Sequence, residues 1–77
     1  MRNIALNLHY NGVDYTSNYE KCDPVRENEL AKMCKKVSNG EMSNLHFSGN
    51  NQYFFFPKDI LSKSIISLVY EETDFLK

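Results

Sequence analysis

No charge of one sign dominates this sequence. Nine Lys and Arg against ten Asp and Glu leave a formal net charge of −1 over 77 residues. That balance argues against a typical nucleic-acid binder, which carries a basic excess, and against a strongly acidic DNA mimic. Cysteine is limited to Cys22 and Cys34, too few for a disulfide framework. Proline and glycine number two and three, and no segment is repeated or low in complexity. No apolar run approaches the ~20 residues that cross a bilayer. The opening MRNIALNLHY holds no long apolar core of a secretory signal. The expectation is one domain over residues 1–77, cytoplasmic, with reduced thiols and no membrane contact.

Motifs that carry chemistry are missing as well. There is no P-loop and no G-x-G-x-x-G, and no serine stands in a G-x-S-x-G context. A cysteine nucleophile would need a base and an oxyanion hole, and the sequence shows neither. His9, Cys22, Cys34 and His46 recur at a near-even spacing of 12–13 residues. Zinc sites use tight pairs such as C-x₂-C, because neighbouring ligands must converge on one ion. No such pair exists, so neither a metal nor any other cofactor is expected. The chain reads as non-enzymatic.

What is present is a clear alternation. Ile4, Leu6, Leu8 and Tyr10 alternate with Ala5, Asn7 and His9, the period of a half-buried strand. Asn11-Gly12 follows, the favoured type I′ hairpin turn. A two-residue turn sets Tyr10 opposite Val13, His9 opposite Asp14 and Leu8 opposite Tyr15. Continued without interruption, it sets Leu6 opposite Ser17 and Ile4 opposite Tyr19. His9 and Asp14 then form a solvated cross-strand contact rather than an acid–base couple.

Asp23-Pro24 predicts a helix start, with Asp as N-cap and Pro at the first helical position. Leu30, Met33, Cys34 and Val37 form one apolar stripe, which Val25 extends. Lys32, Lys35 and Lys36 form a solvated face, and Asn39-Gly40 stops the helix. Leu45–Ser48 and Gln52–Phe56 read as a second hairpin with two possible registers. An Asn50-Asn51 turn puts Phe54 and Phe56 beside Leu45 and Phe47; a three-residue loop puts Tyr53 and Phe55 there. Pro57 ends that strand. Residues 58–64 read as a turn or short helix anchored by Ile60 and Leu61, and Ile65–Tyr70 as a last strand. The fold class expected is α+β in two layers: a single antiparallel sheet, β-β-α-β-β-β, with one amphipathic helix across one face.

Such a helix covers one sheet face only, yet the second hairpin and the last strand are apolar on both. The sheet could curl, with Ile60-Leu61 closing the gap. Otherwise the tail residues Phe75 and Leu76, a second copy of the chain, or another protein must cover it. Contiguous exposed apolar surface is usually interaction surface, and tyrosine is enriched at interfaces. The favoured reading is therefore a small protein-binding module. Its binding residues are Tyr53, Phe55 and Tyr70, with Tyr15, Tyr19, Glu71 and Glu72 in support. The acidic residues Asp14, Glu20, Asp23, Glu27 and Glu29, and Glu71, Glu72 and Asp74, suit a basic partner or simple solubility. The alternatives are a homodimeric structural or regulatory protein and a small RNA-binding domain. Sheet aromatics can stack bases, but the lysines cluster away from them. In size, compact α+β layout, mild acidity and lack of a catalytic motif, the chain resembles small accessory proteins of phages and mobile elements. Inhibitors of host defence nucleases, anti-CRISPR proteins among them, are of this kind. The resemblance implies action by steric occlusion and assigns no residues.

Overall fold

A computed structural model describes residues 2–71. Its elements run β1 (Arg2–Tyr10), β2 (Val13–Thr16), β3 (Glu20–Cys22), α1 (Pro24–Ser38), β4 (Asn44–Gly49), β5 (Gln52–Pro57), α2 (Lys58–Leu61) and β6 (Ile65–Tyr70). The architecture is α+β, with antiparallel pairing throughout and one main helix. β1 is the centre of the larger sheet, flanked by β6 on one side and by β2 and β3 on the other. β4 and β5 form a second, two-stranded sheet, where a single sheet was expected.

The first hairpin has the expected start: Tyr10 pairs with Val13, His9 with Asp14 and Leu8 with Tyr15. The register then slips. Ile4 faces Glu20, not Tyr19. Three residues, Ser17 to Tyr19, stand opposite Ala5 and Leu6, so the strand bulges by one residue and divides into β2 and β3. The bulge is held by Ser17, whose N–H donates to the Leu6 carbonyl (2.8 Å) and whose hydroxyl accepts from the Leu6 N–H (2.9 Å). Its cause is tertiary. The Asn18 N–H leaves the β1 ladder and donates to the Ser48 carbonyl of β4 at 2.8 Å, which ties the two sheets together.

Helix α1 begins and ends where its caps dictate. The Asp23 carboxylate accepts from the Arg26 N–H at 2.8 Å. At the other end Gly40 takes φ +73°. Gly40 donates to Val37 and Glu41 to Lys36, the paired bonds of a Schellman stop. Leu30 and Val37 are buried, and Met33 and Cys34 pack beside them. Val25 does not extend this stripe: it is 69% exposed, because it sits in the first turn, ahead of the packed part of the helix. The core joins Ile4, Leu6 and Leu8 of β1 to Leu30, Val37, Leu45, Phe47, Phe56 and Leu61. Ile66 and Leu68 pair with Leu8 and Leu6 and share that face. The short helix α2 supplies Leu61, with Ile60 packed against the core. Among the described residues, no helix is long and apolar enough to cross a membrane.

Candidate functional site

The second hairpin resolves the register by its turn. Asn50 and Asn51 both take positive φ, +52° and +60°, the type I′ geometry that suits a two-residue loop. Gly49 then pairs with Gln52, Phe47 with Phe54 and Leu45 with Phe56. Side chains alternate across a strand, so Phe47, Phe54 and Phe56 turn inward. Their rings pack at 5.2–6.1 Å, edge-on for Phe47–Phe54, tilted for Phe47–Phe56 and stacked for Phe54–Phe56. The remaining set turns outward: His46 opposite Phe55, and Ser48 opposite Tyr53.

Those outward residues make a small aromatic face. The His46 ring lies parallel to Phe55, with centroids 6.2 Å apart and planes within 3°. The Tyr53 ring stands 5.6 Å from His46, tilted by 32°. Tyr53 is 63% exposed and Phe55 60% exposed. Neighbouring positions on this face are Asn44, Ser48 and Pro57, so it carries no fixed charge. An aromatic patch depleted of charge has the composition of an interface core. His46 had drawn notice only as a possible metal ligand. The signal that places it here is its register opposite Phe55, readable once the two-residue turn is chosen.

The other expected binding residues lie elsewhere. The Tyr15 ring is half-buried, edge-on to Phe54 (5.3 Å) and Phe56 (5.5 Å), so it seals the core beneath the hairpin. Tyr19 lies in the bulge, exposed. Tyr70 belongs to β6 of the larger sheet. The Arg2 guanidinium sits 4.5 Å over its ring and its hydroxyl donates to Glu27 at 3.2 Å. Glu71 is tied down by Asn3, whose side-chain amide donates to it at 2.7 Å. Glu72 lies outside the described residues.

The charged groups form local pairs. Arg26 donates from Nε to Glu20 (2.7 Å) and from a terminal nitrogen to Glu29 (3.2 Å). The hydrogen bond from Arg26 holds the Glu20 carboxyl below its ordinary value. His9 Nδ1 meets Asp14 Oδ1 at 2.8 Å. That contact, with a second from Asn7, lowers the Asp14 carboxyl. Burial raises both thiols, Cys22 and Cys34, away from the reactive thiolate. No three His, Cys, Asp or Glu among the described residues converge as a metal-binding group.

Compared with protein-family models, with curated proteins and with solved structures, the chain gives no match.

Proposed function

We propose that this protein is a non-enzymatic binding module that docks another protein through the outward face of the β4-β5 hairpin. The observation that carries this reading is the His46, Tyr53 and Phe55 face, whose rings lie against one another and are backed by the buried Phe47 and Phe56 and the half-buried Phe54 on the reverse. Rigid aromatic side chains lose little conformational freedom on binding, and they dominate interface energetics. A hairpin with one face in the core and the other bare aromatic is a preformed anchor. It acts by covering a working surface of its target and does no chemistry on it. In keeping with the resemblance to small phage and mobile-element proteins, we place the target among host defence proteins and the encounter in the cytoplasm.

The test uses a double variant, Tyr53→Ser with Phe55→Ser. Circular dichroism and urea unfolding establish first that it keeps the fold. Wild type and variant are then immobilised side by side in host lysate, and retained proteins are identified and re-bound in purified form. The expected result is a target that binds wild type and is lost on the variant. Equal binding by the two would remove the aromatic face from the reading. Light scattering across a hundredfold range of concentration reads the homodimer alternative, in which a wild-type dimer becomes monomeric on the same substitutions.

A further inference from the structure

Where β3 and β4 part, the structure opens a cleft of about 370 Å³. Its floor is apolar, made of Leu6 from β1, Leu30 and Met33 from α1, and Phe47 from β4. One wall is the edge of β4, Asn44 to Ser48. The two sheets join at the Asn18–Ser48 bond, and among the described residues no other backbone bond links β3 to β4.

The antiparallel ladder fixes which backbone groups face this opening. Gly49 and Gln52 flank a two-residue turn and form a bonded pair, as do Phe47–Phe54 and Leu45–Phe56 by alternation. The amides and carbonyls of Ser48, His46 and Asn44 therefore point away from β5. The Ser48 carbonyl confirms this direction by accepting from Asn18. On the other wall stand Ser17 and Asn18 of the bulge and Glu20 of β3. An open edge of this kind is a template for another strand.

We propose that the cleft accepts an extended peptide segment of the bound protein, which adds as a strand to the edge of β4 that no strand pairs among the described residues. Only a polypeptide backbone offers donors and acceptors at the repeat that this edge presents. The apolar floor asks for apolar side chains at every second position. At the mouth Glu20 pairs with Arg26, so the segment is selected by its backbone and its apolar side chains rather than by charge. The cleft is continuous with the aromatic face through His46, which borders both. The inference rests on the docking face proposed above for the partner's approach, and on the cleft alone for its chemistry.

The probe is a set of eight-residue synthetic peptides alternating valine and threonine between terminal lysines, with a scrambled-order set as control. Binding is followed by amide resonances and amide hydrogen exchange. The alternating set is expected to bind and to slow exchange at His46, while the scrambled set does neither. Two variants at one position separate backbone from ring. H46A removes the imidazole and keeps the N–H; H46P removes both. Because this N–H points away from β5, proline here leaves the β4-β5 ladder intact, which slow exchange at Leu45 and Phe47 verifies. H46A is expected to bind, and H46P to bind about tenfold more weakly, the loss of one well-made hydrogen bond. Equal binding by the two variants overturns the proposal. So does unchanged exchange at His46 in wild type under peptide, a reading that needs no variant. The docking face is read apart from this: Tyr53→Ser with Phe55→Ser is expected to lose the protein target and keep the peptides.

Discussion

Gly49 at the tip of β4 lies directly against Thr16 at the end of β2: a Cβ added to Gly49 would overlap the Thr16 carbonyl oxygen and crowd Ser17. The obstacle is backbone, which cannot swing aside as a side chain can. This contact and the Asn18–Ser48 bond sit side by side, and together they fix the small sheet against the large one. Gly49→Ala is expected to force the sheets apart and to cost about 1–3 kcal/mol, the range for overpacking. Urea unfolding measures it. A change within about 0.5 kcal/mol would mean that the two sheets are not rigidly apposed.

The alternation of the hairpin makes a contrast between neighbours in the chain. Phe56→Ala empties a buried site and is expected to destabilise by about 3–5 kcal/mol. Phe55→Ser, one residue away, removes an exposed ring that stacks on His46. Its expected cost is below about 1 kcal/mol, the value of a cross-strand pair. Comparing the two unfolding midpoints decides whether the register is the one described. Were Phe55 the costly position, the strand would be turned over and the outward face would consist of Phe54 and Phe56.

Much of this was legible in the residues. Asn11-Gly12 announced the first hairpin, Asp23-Pro24 and Asn39-Gly40 bounded the helix, and the outward pair Tyr53 and Phe55 was one of two registers left open. Local spacing could not choose between them, because Phe54 and Phe56 are as apolar as their neighbours; the choice lies in the backbone angles of Asn50 and Asn51. The bulge at Ser17–Tyr19 was not legible at all. Thr16, Ser17 and Asn18 can continue a strand as well as break it. What breaks it is the carbonyl of Ser48, some thirty positions later in the sequence. The cleft opens beside that one long-range contact, and the separation of β4-β5 into its own sheet is likewise a matter of distant packing, so neither could be read from local spacing.

The Asn50-Asn51 turn offers a gain of stability. Both residues hold a left-handed backbone, which asparagine tolerates at some cost and glycine adopts freely. Asn51→Gly recreates the favoured Asn-Gly sequence of this turn and is expected to raise stability by less than about 1 kcal/mol, the relief of backbone strain exceeding the added chain entropy of glycine. Asn51→Val, β-branched in the same conformation, is expected to lower it by about 1–3 kcal/mol. Thermal or urea unfolding of the three proteins gives the order. If valine were tolerated as well as glycine, the turn would not be of this type, and the register that exposes Tyr53 and Phe55 would lose its basis.

Asp14 ties part of the stability to acid pH. In the folded protein His9 and Asn7 hydrogen-bond its carboxylate and hold its pKa below the ordinary value; in the unfolded chain these partners are gone. A carboxyl lowered by folding contributes stability above its unfolded value, and the contribution is lost as pH falls through the lowered native one. Asp14→Asn removes the titration while keeping the shape. Wild type is therefore expected to exceed the variant by a constant margin at neutral pH, and the margin to close below about pH 4. The Glu20–Arg26 pair is present in both proteins, so its own acid loss cancels in the comparison. Urea midpoints taken from pH 7 down to pH 2.5 read the margin directly. A margin that persists unchanged to the lowest pH would show that the His9–Asp14 contact is not held in solution, and that this end of the hairpin is stabilised by its turn and by Tyr15 alone.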